Sequence, residues 1–393
     1  MRRSAKREAV EDIATPAFII DEAEIRSSSS RLRCLADDVG CKLLFSLKPL
    51  AFERAIRIIG EVVDGFSASS FFEARLAREI LGDAGSLHLC TPGIRPDEID
   101  ELANLCDYVV FNSISQWDEF QSQIQGRAES GIRLNPELSL VKDRRYDPCR
   151  RFSRLGVSVG ELVSAFERAK RKGLDGIHFH TNCDSEDFSG LLQTAVAVDR
   201  HLSRILEGLR WVNMGGGYIF AEEAVFDDFR RSVDLIRGKR DLEVFFEPGA
   251  SFVRSAGTVV SSVLDIVTRD KRRIAILDTT VNHMPEVFEY QFEPDVAEHV
   301  GTGQYEYILA GCSCLAGDLF GDYSFNKPLK IGSRITFENV GAYSFVKANM
   351  FNGINLPSIY VLNQSGRLDL VKEFSFDDFA SRCGFQSNQY ANS

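Results

Sequence analysis

The sequence predicts an α/β protein: a closed (β/α)8 barrel of the TIM type, followed by a mostly antiparallel β domain. Three observations carry that expectation. Eight short apolar runs alternate with amphipathic stretches between residues 42 and 249, several of those runs end in polar or glycine-rich segments, and helix-free β-branched and aromatic runs take over near residue 250. Strands separated by helices imply right-handed βαβ units and a parallel sheet, and eight such units over roughly 220 residues close into a barrel.

The eight runs are KLLFSLK (42–48), VDGFSASS (63–70), LHLCTPG (87–93), DYVVFNS (107–113), GIRLNPE (131–137), GIHFHT (176–181), WVNMGGG (211–217) and VFFEPG (244–249). Between them, residues 51–60, 71–81, 113–124, 159–173 and 190–208 repeat apolar positions at helical spacing. The stretch 138–156, LSLVKDRRYDPCRRFSRLG, follows neither period and reads as a long loop after the fifth barrel strand; loops of that length are commonly functional. TPAFIID (15–21) reads as a strand ahead of a helix over 21–40, with no barrel partner in sequence order. After residue 250, residues 251–270, RRIAILDTT, YEYILAG, SRITFENVG and SIYVLN read as strands, and 374–383 as a closing helix. The expected division is therefore a barrel over 22–250 and a β domain over 1–21 and 251–393, with the N-terminal strand crossing over to it. The charged residues 1–14 and the polar tail FQSNQYANS (385–393) are expected to lack fixed order.

With 393 residues the chain can hold two domains, at about 150 residues each. A net charge of −11 disfavours nucleic-acid polymers and anionic membranes as partners and suits a cationic small molecule. No apolar run reaches the ~18 residues of a membrane span, and the basic N-terminus lacks the apolar stretch of a secretion signal. The nine cysteines are odd in number and scattered, as in a reduced, cytoplasmic enzyme. No CxxC pair or HExxH occurs, so no metal site is expected.

Chemistry in such barrels sits at the C-terminal strand ends. There the chain carries Lys48, Ser69, Arg133, His180, the triplet Gly215, Gly216 and Gly217, and Glu247. A strand-end lysine is often only a solvated surface group. Lys48, however, follows apolar LLFSL and precedes Pro49, and partial desolvation would suit an amine that captures a carbonyl. Glycines after the seventh strand let backbone N–H groups approach a phosphate, although tight turns use them too. Glu247, between two Phe and a Pro, is costly to bury unless it is paired. Facing a pyridine nitrogen it would keep that nitrogen protonated, which makes pyridoxal 5'-phosphate (PLP) an electron sink. His178 and His180 share one face of a regular strand, and His180 is a candidate to stack on a flat ring.

Taken together, the strand-one lysine, FH, GGG, EPG and GAYSFVKANMFNG (341–353) resemble the fold-type III PLP decarboxylases, whose barrel is alanine-racemase-like. RLNPE, YDPC…SRLG, FHTNCD, LDTTVNHMPEV and CSCLAGDLFGDYSF narrow the resemblance to the carboxynorspermidine/carboxyspermidine decarboxylase family, from residue 15 to about 383. The resemblance implies that Lys48 carries PLP covalently, that His180 stacks on it and that Glu247 meets its ring nitrogen. It implies that the glycine triplet and Tyr343 hold the phosphate, with Ser69 and Arg133 also in the cofactor site. It implies a homodimer with shared active sites, in which Cys314 reprotonates the α-carbon from across the interface. His283, Glu286, Asp318 and Asp184 would line the substrate pocket.

The chain departs from the family pattern in places: Ala250 stands where an acid is frequent, Glu286 replaces Asp, and Asp184 replaces Glu. These changes leave the electron sink intact and bear on the substrate. Alternatives are a decarboxylase of a 3-amino-3-carboxypropyl group in specialised metabolism, as in peptide-nucleotide antibiotics of the microcin C type, an amino-acid racemase, and a non-enzymatic PLP-binding module. Glu247 argues against the racemase. Cys314 and the β domain argue against the non-enzymatic module.

Overall fold

The computed structural model describes residues 12–219 and 226–385. Most of the N-terminal stretch and of the polar tail expected to lack order lies outside the described residues. The chain forms two compact units, one spanning Arg26–Phe252 and one combining the residues up to Ile25 with those from Val253 onward.

Strand β1 (Ala17–Asp21) belongs to the second unit and leads into the helix Glu22–Val39. The first unit then lays down β2 (Lys42–Ser46), β3 (Gly65–Ala68), β4 (Ser86–Cys90), β5 (Tyr108–Phe111), β6 (Glu129–Asn135), the short β7 (Val157–Ser158), β8 (Leu174–Phe179), β9 (Trp211–Asn213) and β10 (Glu243–Phe246). All pairings are parallel, in the order β5-β4-β3-β2-β10-β9-β8-β6-β7, and a β5–β6 pairing closes the ring. β7 pairs with the end of β6 and closes off the long 138–156 segment, which holds no other strand or helix. This is the eight-stranded parallel barrel that the alternation predicts.

The barrel interior is packed from three adjacent strands and one from the far side of the ring. Leu44 on β2, Val110 on β5, Trp211 on β9 and Phe245 on β10 form one buried cluster. Trp211 fits because β6 and β8 present glycines there: a Cβ at Gly176 would lie 2.1 Å from its indole. Side chains two residues further along a strand point the same way. The next level up therefore holds Asn213 after Trp211, Glu247 after Phe245, His178 after Gly176 and Cys90 after His88. Alternation thus places a polar level on an apolar floor, at the strands' C-terminal ends.

In the second unit β1 pairs antiparallel with β11 (Gly257–Arg269), which is followed by β12 (Arg272–Leu277), β13 (Tyr305–Ala310), β14 (Leu319–Phe325), β15 (Arg334–Phe337), β16 (Ser358–Leu362) and β17 (Leu368–Lys372). The order is β14-β13-β12-β11-β1-β16-β17, with β15 on β11. Among the described residues only β12–β13 and β1–β16 are parallel, so the sheet is mostly antiparallel. One expectation needs correction: residues 251–256, read as the start of a strand, form the helix Ala250–Val253 and a 3-10 turn, Arg254–Ala256. Among the described residues no helix is long and apolar enough to cross a membrane.

Candidate active site

Glu247 directly follows β10 and is 7% exposed. Its carboxylate is held on both sides. Oε1 accepts from His178 Nε2 at 2.9 Å and Oε2 accepts from Asn213 Nδ2 at 2.9 Å. An ionised carboxylate only accepts, so the proton of that first bond sits on His178 Nε2. The other ring nitrogen, Nδ1, lies 3.8 Å from Cys90 Sγ. Burial opposes charge on Glu247, but His178 beside it, with Lys48 and His180, holds its carboxyl well below the ordinary range. Burial likewise opposes charge on His178, yet Cys90 and Glu247 outweigh it and push the imidazole up to about 9.

His180 follows β8, with its ring 6.5 Å from that of His178 and nearly parallel to it. The Gly216 N–H donates to His180 Nδ1 at 3.2 Å, which leaves the proton of the neutral ring on Nε2. Burial, with Lys48 and Arg133 nearby, holds this imidazole well below its usual value, so it is uncharged at neutral pH. The ring presents a flat, neutral face, as stacking requires.

The glycine triplet turns the chain directly behind these groups. Gly215 and Gly217 have φ of 73° and 93°, in the left-handed region. A Cβ on Gly216 would lie 2.3 Å from the Glu247 carbonyl, and one on Gly217 2.1 Å from that of Asn182. Only glycine permits this approach. The Gly215 N–H is taken by Asn213 Oδ1, so Asn213 ties the turn to the carboxylate.

Lys48 lies just past β2. The expected desolvation is absent: its side chain is exposed, because Leu47, Pro49 and Leu50 are themselves buried in the wall. Ser69 follows β3, where its N–H donates to Glu73 Oε2 at 2.7 Å. Arg133 is half-buried on β6. Asp184 is exposed in a left-handed bend, φ 50°, a conformation Asp adopts more readily than most residues. The long loop is pinned at its inner end: Cys149 Sγ lies 3.9 Å from the His180 carbonyl, and buried Asp147 accepts from Ser139 Oγ and the Cys149 N–H.

The other expected residues belong to the β unit. Asp318, expected to touch substrate, has its oxygens committed to the loops. It accepts from the Val281 N–H at 2.8 Å and from the Ser313 N–H and Oγ, and it is 3% exposed. His283 Nδ1 bonds Thr279 Oγ1 at 2.9 Å while Nε2 is buried without a hydrogen-bond partner among the described residues. Burial brings this imidazole down to about 4, against the pull of Asp318. Glu286 pairs with Lys347 at 3.1 Å, and that lysine also bonds Glu289. Cys314 is exposed, and its N–H donates to Asn352 Oδ1 at 2.8 Å. Tyr343, at φ 62°, precedes the turn of helix Ser344–Lys347, with Lys347 Nζ 5.5 Å over its ring.

Sequence reasoning missed Asn213 and Cys90 at the barrel end. Both were legible in principle, lying two residues beyond interior positions of β9 and β4.

The barrel set fits a flat ring with a basic nitrogen: an ionised carboxylate, a neutral aromatic face, an amine and a glycine turn. Comparison with known proteins agrees with this reading. The profile of the family described as pyridoxal-dependent decarboxylase, C-terminal sheet domain, matches residues 18–341. A carboxynorspermidine/carboxyspermidine decarboxylase of Campylobacter jejuni is 34% identical over 390 residues, covering 95% of this chain and 99% of the relative. A carboxyaminopropylagmatine decarboxylase of Synechocystis is 31% identical over 95% of this chain and 96% of its own length. The crystal structure of the C. jejuni carboxynorspermidine decarboxylase complexed with norspermidine superposes with a TM-score of 0.86, at 32% identity, over 94% of this chain and all of that one.

Proposed function

The chain belongs to the pyridoxal-dependent decarboxylases, in the carboxynorspermidine/carboxyspermidine decarboxylase family, and we propose that it releases CO2 from carboxynorspermidine or carboxyspermidine to leave the polyamine. The observation that carries this reading is Glu247, ionised and clamped between His178 and Asn213 at the barrel's C-terminal end. The three named relatives and neighbours act on, or are complexed with, compounds sharing an aminopropyl-amine backbone.

PLP, when bound, supplies an electron-withdrawing ring that accepts the electron pair left as CO2 departs. Lys48 would hold this cofactor covalently. Glu247 keeps a proton on the ring nitrogen, because its own affinity for that proton is low and its charge stabilises the cation. His180 stacks on the ring and, being uncharged, does not oppose that proton. On the barrel unit Gly215, Gly216, Gly217, Ser69 and Arg133 would bind the phosphate. Cys314 returns a proton to the α-carbon, supplied across the two-fold interface of a homodimer. On the β unit Glu286 and His283 would meet the amine end of the substrate, and Asp318 positions the loop that carries Cys314. Free cysteines throughout suit a cytoplasmic setting.

A second reading is favoured by the long loop. Lys142, Arg144, Arg151 and Arg154 are exposed there, and none is ion-paired among the described residues. Phe152 is 87% exposed at φ 63°, with the Arg151 guanidinium 4.7 Å over its ring. A bulky residue held in the left-handed region is strained, and such strain clusters at functional sites. Cations beside an exposed aromatic ring suit a carboxyaminopropyl group attached to a nucleotide. Measuring kcat/KM side by side for carboxynorspermidine, carboxyspermidine and a carboxyaminopropyl nucleotide separates the two. Preference for a polyamine precursor supports the first; inertness towards both, with turnover of the nucleotide, overturns it.

A further inference from the structure

The roles proposed for the barrel site leave two of its groups, buried His178 and half-buried Cys90, without a task. His178 is 1% exposed and stands behind Glu247, and Cys90 stands behind His178. The three side chains come from β8, β10 and β4, so the row crosses the interior between strands that are not all neighbours. A thiol, an imidazole and a carboxylate in a row can place their protons in two ways. Either the thiol donates to a neutral imidazole, or a thiolate faces an imidazolium; in both, Nε2–H points at Glu247.

We propose that Cys90 and His178 are a positioning pair for Glu247: the imidazole, held as a cation by the thiolate behind it, fixes the carboxylate's rotamer and keeps it ionised toward the ring nitrogen of the cofactor. The proposal rests on the PLP reading for what Glu247 faces, and on the geometry for the pair itself.

Three observations carry it. First, the clamp is asymmetric. Asn213 can offer a hydrogen bond but no charge, so His178 is the only one of the two partners able to stabilise an anion electrostatically. Second, the other groups near His178 do not supply its charge balance. His88, beneath Cys90 on β4, is stacked on Tyr108 at 4.1 Å and held neutral, down to about 3, by burial. His180 is also neutral, so neither neighbouring imidazole can balance a cation. Glu247 and Cys90 are the groups left to hold it. Third, the thiol is affected in return: burial opposes its ionisation, but His178 and then Arg133 bring Cys90 below the ordinary thiol value.

The test uses the full-length protein with its cofactor removed and then restored. Iodoacetamide labelling of Cys90, read by mass spectrometry from pH 5 to 9, should reach half its maximum at least about one pH unit below exposed Cys34 in the same sample. In His178→Gln, which keeps an N–H donor but cannot carry charge, labelling at neutral pH should slow about tenfold and the profile should move to that of an ordinary thiol. With PLP restored, His178→Gln should bind it within about threefold of the native affinity but shift the pH at which the visible band of the bound cofactor changes. His178→Leu, which removes the donor as well, should weaken PLP binding by more than about tenfold. Cys90→Ser should move the visible band in the same direction as His178→Gln; it alters no residue that bonds Glu247 and guards against a His178 variant that does not fold. An unchanged Cys90 labelling profile in His178→Gln, or a native band profile in both His178→Gln and Cys90→Ser, overturns the proposal. Should the native protein take up no PLP, the cofactor reading fails by itself, and the labelling profile still decides whether His178 holds a thiolate.

Discussion

Replacing Glu247 with Gln tests the chemistry most directly, because it keeps the shape and removes the charge. In the structure one oxygen accepts from His178 and the other from Asn213, each at 2.9 Å. Gln has one oxygen and one NH2, so whichever way it turns, an N–H donor meets another N–H donor. One hydrogen bond is lost outright, and a hydrogen bond to a charged group contributes about 1.5–3 kcal/mol. The buried imidazole also loses its counter-charge, and breaking a buried pair by removing one partner costs about 3–5 kcal/mol. If about 3 kcal/mol of this appears in the transition state, where the protonated ring nitrogen needs the anion most, decarboxylation slows by about two orders of magnitude. Affinity for PLP should fall much less, since the phosphate and lysine contacts remain. The assay is single-turnover CO2 release at saturating cofactor, with Glu247→Asp as the charge-retaining control. Native-rate release by Glu247→Gln, with the cofactor shown to be bound, would refute the electron-sink role.

Four further outcomes are expected. Borohydride reduction of the PLP-loaded protein should fix the cofactor to Lys48, and peptide mapping that finds it on another lysine, or turnover by Lys48→Ala, would count against that assignment. Mixing inactive Lys48→Ala and Cys314→Ala subunits should restore about one native site per mixed dimer if the sites are shared; no recovery after verified exchange argues for sites built within one chain. Asp318→Asn should lower thermal stability and kcat while leaving KM for an amine-bearing substrate within about threefold, because its carboxylate serves the 279–283 and 311–318 loops. A rise in KM alone would return Asp318 to the substrate pocket. Glu247 is held below its ordinary value in the folded protein, so at acid pH the unfolded chain binds the extra proton. That stabilisation is complete above the ordinary carboxylate value of about 4.5 and is lost as pH falls below it, so the cofactor-free protein's Tm should fall on acidification and fall less in Glu247→Gln.

The sequence alone determined the barrel, because strand and helix periods differ and strands buried on both faces read as apolar runs. KLLFS, YVVF and EVFF all coincide with strands. It also determined which residue types stand at the strand ends, since the end of an apolar run can be read without knowing its neighbours. Short amphipathic helices were less legible. Asp227–Arg237 buries Phe229, Val233 and Ile236 at helical spacing but is mostly charged, and Ile99–Leu105 spans only two turns. Residues 251–256 read as strand because β-branching and aromaticity are shared by β11, into which they lead. Tertiary structure alone decided what each polar group faces. Lys48 looked desolvated from its neighbours in sequence, yet those neighbours are buried in the wall and leave it exposed. Asp318 looked like a substrate acid until the loops at 281 and 313 filled its oxygens. The row from Cys90 through His178 to Glu247 joins residues 88 and 69 positions apart, and no local pattern encodes it. It exists because a closed barrel brings the same level of different strands to one axis, where burial makes every unpaired charge expensive and so selects the partners.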